Sequence, residues 1–239
     1  MKKHIPNSIT CCNLICGCIA TVCAAHAYEH PASYVWAVAF IVLGAVFDFF
    51  DGMTARLLSV SSPIGKELDS LADVVTFGVA PSMILFSLFF EGEYPEWMLP
   101  LRGVMPYTAF IMAAFSALRL AKFNLDTRQT TSFIGVPTPA NALFWGSLVV
   151  GQHAFLTSYL FNAAFLFLFM LAASFLLVAE IPLFALKFKN LSWADNKVKY
   201  IFLLGCLPCF CLGASCFAAI IVWYVALSVV QLFVPRSPY

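Results

Sequence analysis

Asp48-Phe-Phe-Asp51-Gly52-Met-Thr-Ala55-Arg56-Leu-Leu-Ser-Val-Ser-Ser-Pro63-Ile-Gly65-Lys66-Glu-Leu-Asp69-Ser-Leu-Ala-Asp73 is the stretch on which the fold turns. Its aspartates come in two pairs. Asp48 and Asp51 close one long apolar run, and Asp69 and Asp73 open another. Apolar runs of this length read as membrane-spanning helices. An aspartate is expensive to bury there and by default marks a functional site.

The spacing carries the chemistry. Asp48 and Asp51 are three apart and Asp69 and Asp73 four apart, so each pair shares one helix face. Between them, Ser59-Val60-Ser61-Ser62-Pro63 breaks the helix; Ser62 suits an N-cap and Pro63 the first helical position. Two helices joined by so short a turn can bring both pairs together. Four facing carboxylates cannot all stay ionised in a low-dielectric site unless a cation joins them. Oxygen-only ligands suit Mg²⁺, Mn²⁺ or Ca²⁺ rather than zinc or copper, and Mg²⁺ usually sits between carboxylates and phosphate groups.

The rest of the stretch fits a phosphate partner. Gly52, Ala55 and Gly65 are small and let a ligand approach the backbone. Arg56 is a permanent cation able to bridge two phosphate oxygens. Gly65 lies in the first turn of the second helix, where free N–H groups and the helix dipole favour anions. The plainer reading is a solvated helix-turn-helix with scattered acids. It leaves the joint recurrence of helical spacings, small residues and arginine unexplained.

Composition agrees with a membrane protein. Of 239 residues, 62% are hydrophobic and 10% charged, with a mean hydropathy of +0.90. A soluble domain cannot hide that much apolar surface. The net charge of +1 gives no sign of a nucleic acid or acidic partner. The first apolar run contains Asn13 and no convincing small-residue cleavage site, so no cleavable signal peptide is expected. The nine cysteines cluster in the first apolar run and near the end. Cys206-Leu-Pro-Cys209 has C-x-x-C spacing, but without a second such pair or a nearby histidine it reads as apolar packing. His26, His30 and His153 have no partners at ligand spacing and read as surface or interfacial residues.

The expected architecture is an all-α integral membrane bundle of about eight transmembrane helices, at roughly 9–27, 34–57, 62–90, 101–120, 140–156, 159–186, 198–213 and 214–234. It forms one catalytic domain over 1–239, with a core at 1–186 and two additional helices at 198–234. Pro182 should kink or end the sixth helix. Glu180 beside it reads as an interfacial residue with no bearing on substrate. With the N-terminus inside, only Arg102 of the 13 Lys and Arg falls outside. Both termini and the aspartate site are therefore expected on the cytoplasmic side of the inner membrane.

Asp48-x-x-Asp51-Gly52-x-x-Ala55-Arg56, eight residues, then Gly65-x-x-x-Asp69-x-x-x-Asp73 resembles, without a gap, the signature of the CDP-alcohol phosphotransferases. The resemblance implies a membrane enzyme that moves a phosphatidyl or similar group from a CDP-linked donor to an alcohol and releases CMP. It implies a homodimer. It implies divalent metal, Mg²⁺ or Mn²⁺ with Ca²⁺ able to substitute, held by Asp48, Asp51 and Asp69 with Asp73 at its edge, and Asp73 as the base. Gly52, Ala55, Arg56 and Gly65 would bind the donor. Pro6-Asn7-x-x-Thr10-x-x-Asn13 also resembles the family, in which the first helix helps wall the nucleotide pocket, and this brings Asn13 to the donor site. Taken from the residues alone, these are polar groups satisfied between helices.

Arg119-Leu-Ala-Lys122-Phe-Asn124 and Phe133-Ile-Gly135-Val-Pro137-Thr-Pro139-Ala140 are similar to segments of the phosphatidylserine synthase branch, with Lys122 and Val136 as mild departures. That implies CDP-diacylglycerol as donor and L-serine as acceptor. Arg119 and Lys122 could hold a serine carboxylate or a phosphate; otherwise they are two snorkelling residues on the inner side. Glycerol phosphate or inositol phosphate is the alternative acceptor and would call for more cations. A cation transporter is the alternative of another class, but gains nothing from Arg56.

Overall fold

The computed structural model describes residues 4–60, 62–126, 133–184, 186 and 192–233. Ser61 of the expected turn, and Lys2, Lys3, Arg128, Lys187, Lys189 and Arg236 of the charge pattern, lie outside the described residues.

The chain folds as α1 (His4–His26), α2 (Ser33–Leu57), α3 (Pro63–Asp73), α4 (Ala80–Glu91), α5 (Phe110–Leu125), α6 (Thr138–Leu156), α7 (Ala163–Val178), α8 (Trp193–Cys209) and α9 (Cys216–Phe233). These nine segments, counted among the described residues, are close to the eight expected helices. The third expected span is two helices here, because α3 runs into α4 through a π turn, Val74–Val79. Among the described residues, five helical stretches are long and apolar enough to cross a membrane: His4–His26, Ser33–Leu57, Pro63–Glu91, Met105–Leu125 and Asn196–Phe233. Large apolar side chains such as Trp36, Phe49 and Leu168 point outward. An exterior of this kind suits a lipid solvent, and the chain is an all-helical integral membrane protein.

Several boundaries differ from expectation for local reasons. α1 starts at His4 rather than near 9, so Asn7 lies inside the helix. The fourth span opens with 3₁₀ turns, Glu96–Leu101 and Met105–Ala109, because Pro100 and Pro106 cannot donate to a regular helix. α7 stops at Val178 and does not reach 186. Past it, Pro182–Leu183 pairs antiparallel with Phe133–Ile134. α8 and α9 are joined by a 3₁₀ stretch, Phe210–Ser215, with Gly213 at φ +57°. Among the described residues all cysteines are free thiols, and Cys209 Sγ donates to the Gly205 carbonyl (3.3 Å).

Small residues set how closely the first helices pack. A Cβ on Gly17 of α1 would lie 2.4 Å from Thr76 Oγ1, and one on Gly44 of α2 would lie 2.6 Å from Thr76 Cγ2. Thr76, inside the π turn, donates to the Asn13 carbonyl (3.1 Å). Three helices therefore meet around one threonine, at the depth of the site. At the opposite end of α2, Tyr34 donates to Glu91 Oε1 (2.5 Å), and His153 Nε2 lies 2.7 Å from Glu91 Oε2. His153, expected as an isolated interfacial residue, is part of a three-helix polar contact among α2, α4 and α6.

Candidate active site

The turn after α2 makes the site. Ser59 takes φ +50°, which lets the chain reverse within a few residues. Ser62 caps α3 by accepting from the Gly65 N–H (2.9 Å), and Pro63 opens the first turn, as the residue types require. α3 then lies against the end of α2. Asp48, Asp51 and Asp69 each offer a carboxylate oxygen within 4.8 Å of the others.

Asp73 stands apart from that trio. It lies one turn deeper on α3, is 9% exposed, and accepts from Asn13 Nδ2 (3.2 Å). Thr10 on α1 donates to Asp51 Oδ2 (2.6 Å). α1 thus orients one carboxylate of each pair, Asp51 through Thr10 and Asp73 through Asn13. Only Asn13 had been singled out as a site residue; the signal for Thr10 was its place three residues earlier on the same face.

Two buried oxygens here have no hydrogen-bond partner, Asp69 Oδ1 and Asn13 Oδ1. A buried acceptor left unpaired costs free energy, about 1–3 kcal/mol and more for a charged group. Three converging carboxylates, one with an orphaned oxygen, are the donor set of a hard divalent cation. The residues present fit such an ion.

Beside the trio is a cavity of about 230 Å³. Asp51, Asp69, Gly52, Ala55 and Gly65 line it, with Asn7, Thr10 and Ser62. A Cβ on Gly65 would come 3.0 Å from Asn7 Oδ1, so a larger residue would push the Asn7 side chain aside. Lys66 also lines the cavity and was not anticipated, although it follows Gly65 directly in the helix's first turn. Arg56 is exposed, donates from Nε to the Gly52 carbonyl (3.0 Å), and lies outside the cavity wall.

Arg119 and Lys122 do not behave alike. Lys122 is exposed, as a snorkelling residue would be. Arg119 is 7% exposed, its guanidinium lies over the Phe123 ring (5.2 Å), and its Nε has no partner. It also interacts electrostatically with Asp73. Burial of this kind is incompatible with snorkelling, so Arg119 is an interior residue. Both residues line a second, smaller cavity of about 40 Å³ with Asp126 and Glu180.

The segment at Gly135 secures that second cavity. Gly135 donates to the Ile181 carbonyl and Val136 to the Leu176 carbonyl, both at 3.0 Å. Gly135 has φ +75°, and a Cβ on it would lie 2.5 Å from the Leu177 carbonyl oxygen. Gly135→Ala is expected to cost about 1–3 kcal/mol through the left-handed backbone alone, with the clash in addition. Thermal unfolding in detergent should show a clear drop in midpoint; an unchanged midpoint would mean the segment relaxes freely.

A sequence profile described as CDP-alcohol phosphatidyltransferase matches residues 3–232. A Bacillus subtilis protein named CDP-diacylglycerol–serine O-phosphatidyltransferase is 38% identical over 179 residues, covering 75% of this chain and 89% of its own. A protein of the same name from Mycobacterium leprae is 31% identical over 186 residues, covering 75% of this chain and 57% of its own. Another, from Methanocaldococcus jannaschii, is 41% identical over 123 residues, covering 52% of this chain and 53% of its own.

Proposed function

The chain belongs to the CDP-alcohol phosphatidyltransferase family, and on that premise we propose that it transfers the phosphatidyl group of CDP-diacylglycerol to L-serine, giving phosphatidylserine and CMP. The observation that carries this reading is the trio Asp48, Asp51 and Asp69, of which Asp51 and Asp69 line a cavity together with Gly52, Ala55 and Gly65, with Asp73 one turn beyond. The similar proteins named for serine transfer support the choice of acceptor.

Asp48, Asp51 and Asp69, with Asp73 at their edge, would hold a divalent ion, Mg²⁺ or Mn²⁺, with Ca²⁺ able to substitute. When bound, it neutralises the charge on the bridging phosphates of the donor. The small residues let the pyrophosphate reach the backbone at the start of α3, where the helix dipole favours negative charge. Lys66 and, at the rim, Arg56 add positive charge. Asn13 closes the nucleotide side and holds Asp73 in place. Arg119 anchors the acceptor, with Lys122 nearer solvent. Asp73 takes the proton from the serine hydroxyl as that oxygen attacks the lipid-side phosphorus. The bond from this phosphorus to the CMP oxygen breaks as the new one forms, without a covalent enzyme intermediate.

The proposal extends to the surroundings. The chain acts as one domain over 1–239, core 1–186 with the added helices 198–234, in the cytoplasmic membrane. It works as a homodimer, with no nucleic acid partner. Both termini and the turn at Ser59 face the cytoplasm, where a soluble nucleotide product can leave. Single cysteines placed at Ser59 or Glu93, in a background lacking the nine native ones, test this. An impermeant reagent applied outside should label position 93 and not 59; the reverse pattern overturns the orientation.

CMP release from CDP-diacylglycerol, measured with purified protein, Mg²⁺ or Mn²⁺ and a panel of alcohols, tests the reaction. Serine should be preferred. Preference for glycerol phosphate or inositol phosphate would overturn the acceptor, and no release with any alcohol would overturn the transfer.

A further inference from the structure

Thr10 stands where α1 meets the aspartate trio. It is 3% exposed, and its hydroxyl donates to Asp51 Oδ2 (2.6 Å), with the Pro6 carbonyl also in reach at 3.0 Å. A hydroxyl has one proton to give, and the shorter contact takes it. Burial alone does not call for the bond to Asp51. The carbonyl one turn back on the same helix is enough to satisfy a buried threonine. What the bond across to α2 does is fix the carboxylate of Asp51.

The packing keeps this hold in place. Thr10 lies seven residues before Gly17 on α1, and Asp51 seven after Gly44 on α2, about two turns in each case. Gly17 and Gly44 are the points at which both helices close on Thr76, and a Cβ on Gly44 would also lie 2.9 Å from Asn13 Oδ1. That contact holds α1, and Thr10 with it, against α2. Asp69, by contrast, keeps a buried oxygen, Oδ1, with no hydrogen-bond partner. The trio therefore combines an open oxygen on Asp69 with a tethered carboxylate on Asp51.

Hard divalent ions differ in what they ask of such a set. Mg²⁺ demands a near-ideal octahedron, which the narrow bite of a chelating carboxylate spoils; Ca²⁺ takes about six to eight oxygens and accepts a carboxylate through both of its own. Resting on the reading that the trio holds a divalent ion, we propose that Thr10 is a positioning residue that keeps Asp51 to one oxygen toward the ion. It thereby tilts the site from Ca²⁺ toward Mg²⁺ and Mn²⁺. Chelation through both Asp51 oxygens requires the carboxylate to turn and give up the Thr10 bond. The Pro6 carbonyl receives the released hydroxyl, so the cost is limited and Ca²⁺ is disfavoured rather than barred.

The test reads ion binding to the full-length protein in detergent, without donor or acceptor. Bound Mn²⁺, followed by its paramagnetic resonance signal, is displaced by Mg²⁺ and, separately, by Ca²⁺. Thr10→Val keeps the shape of the side chain and removes the hydroxyl. Its affinity for Ca²⁺ relative to Mg²⁺ should rise about three- to thirtyfold, less than the full weight of a hydrogen bond to a charged group because of the Pro6 fallback. Thr10→Ser, which keeps the hydroxyl, should restore the wild-type ratio. Thr10→Ala, a better helix former, should show the same shift as valine and carries the test should the valine variant fail to fold. An unchanged ratio in the hydroxyl-free variants would overturn the proposal while leaving the trio as the ion site. An equal loss of affinity for both ions would overturn it too, as the mark of a merely structural role. A wild-type protein that binds Mn²⁺ no better than Asp48→Asn does would instead remove the ion site on which the proposal rests.

Discussion

Asp48→Asn, Asp51→Asn and Asp69→Asn are each expected to abolish CMP release at ordinary divalent ion concentrations. Each substitution keeps the shape of the side chain and removes one negative charge from a group whose oxygens lie within 4.8 Å of one another. An amide also brings an N–H donor where a cation is to sit. A metal that stabilises transferring phosphates contributes several kcal/mol, and each 1.36 kcal/mol is tenfold in rate. The fall should therefore be about a thousandfold or more. Unfolding midpoints should stay near the wild type, because removing like charges from one place relieves repulsion. Near-normal turnover in any of the three would sink that residue's assignment as a ligand.

Asp73→Asn should behave differently. Asp73 is not in the trio but one helical turn further in, held by Asn13. If it removes the serine proton, its loss should lower kcat about a hundred- to ten-thousandfold, the usual contribution of a general base. Affinity for CDP-diacylglycerol should stay within a few-fold, whereas Asp48→Asn should lose metal and donor together. Donor binding to the Asp73→Asn protein, measured by calorimetry or equilibrium dialysis, decides between the roles. A collapse matching that of Asp48→Asn would leave no reason to separate Asp73 from the ligands.

The aspartate site was largely legible in the sequence because everything that builds it is local. The spacing within each pair, the cap at Ser62 and the proline behind it are short-range facts, and the turn they define brings Asp69 to Asp48 and Asp51. Contacts between distant helices were not legible. Nothing near His153 or Tyr34 announces that both meet Glu91. Periodicity says that a helix has faces, not which face meets which neighbour. Arg119 looked like a snorkelling cation because its sequence neighbours are those of a helix end; its burial comes from packing against Phe123 and the segment after α7. The two-residue pairing of Phe133–Ile134 with Pro182–Leu183 was not legible either, because it is too short a strand to leave an alternating pattern.

The π turn at Val74–Val79 makes the third span behave like a reading frame. A π turn holds one residue more than the α-helical path it replaces, and one residue is about 100° of rotation. Upstream, the frame points Asp69 and Asp73 at the site; downstream, it buries Ile84, Leu85 and Leu88. Deleting one residue inside the turn would straighten it to α-helix and rotate one half against the other. The aspartates would then miss their partners, or the apolar face would turn outward. A deletion here should be lethal alone and tolerated beside an insertion within the same turn. Among related chains, length changes in this span are accordingly expected in compensating pairs, whereas the turn at Ser59 has no such frame to keep.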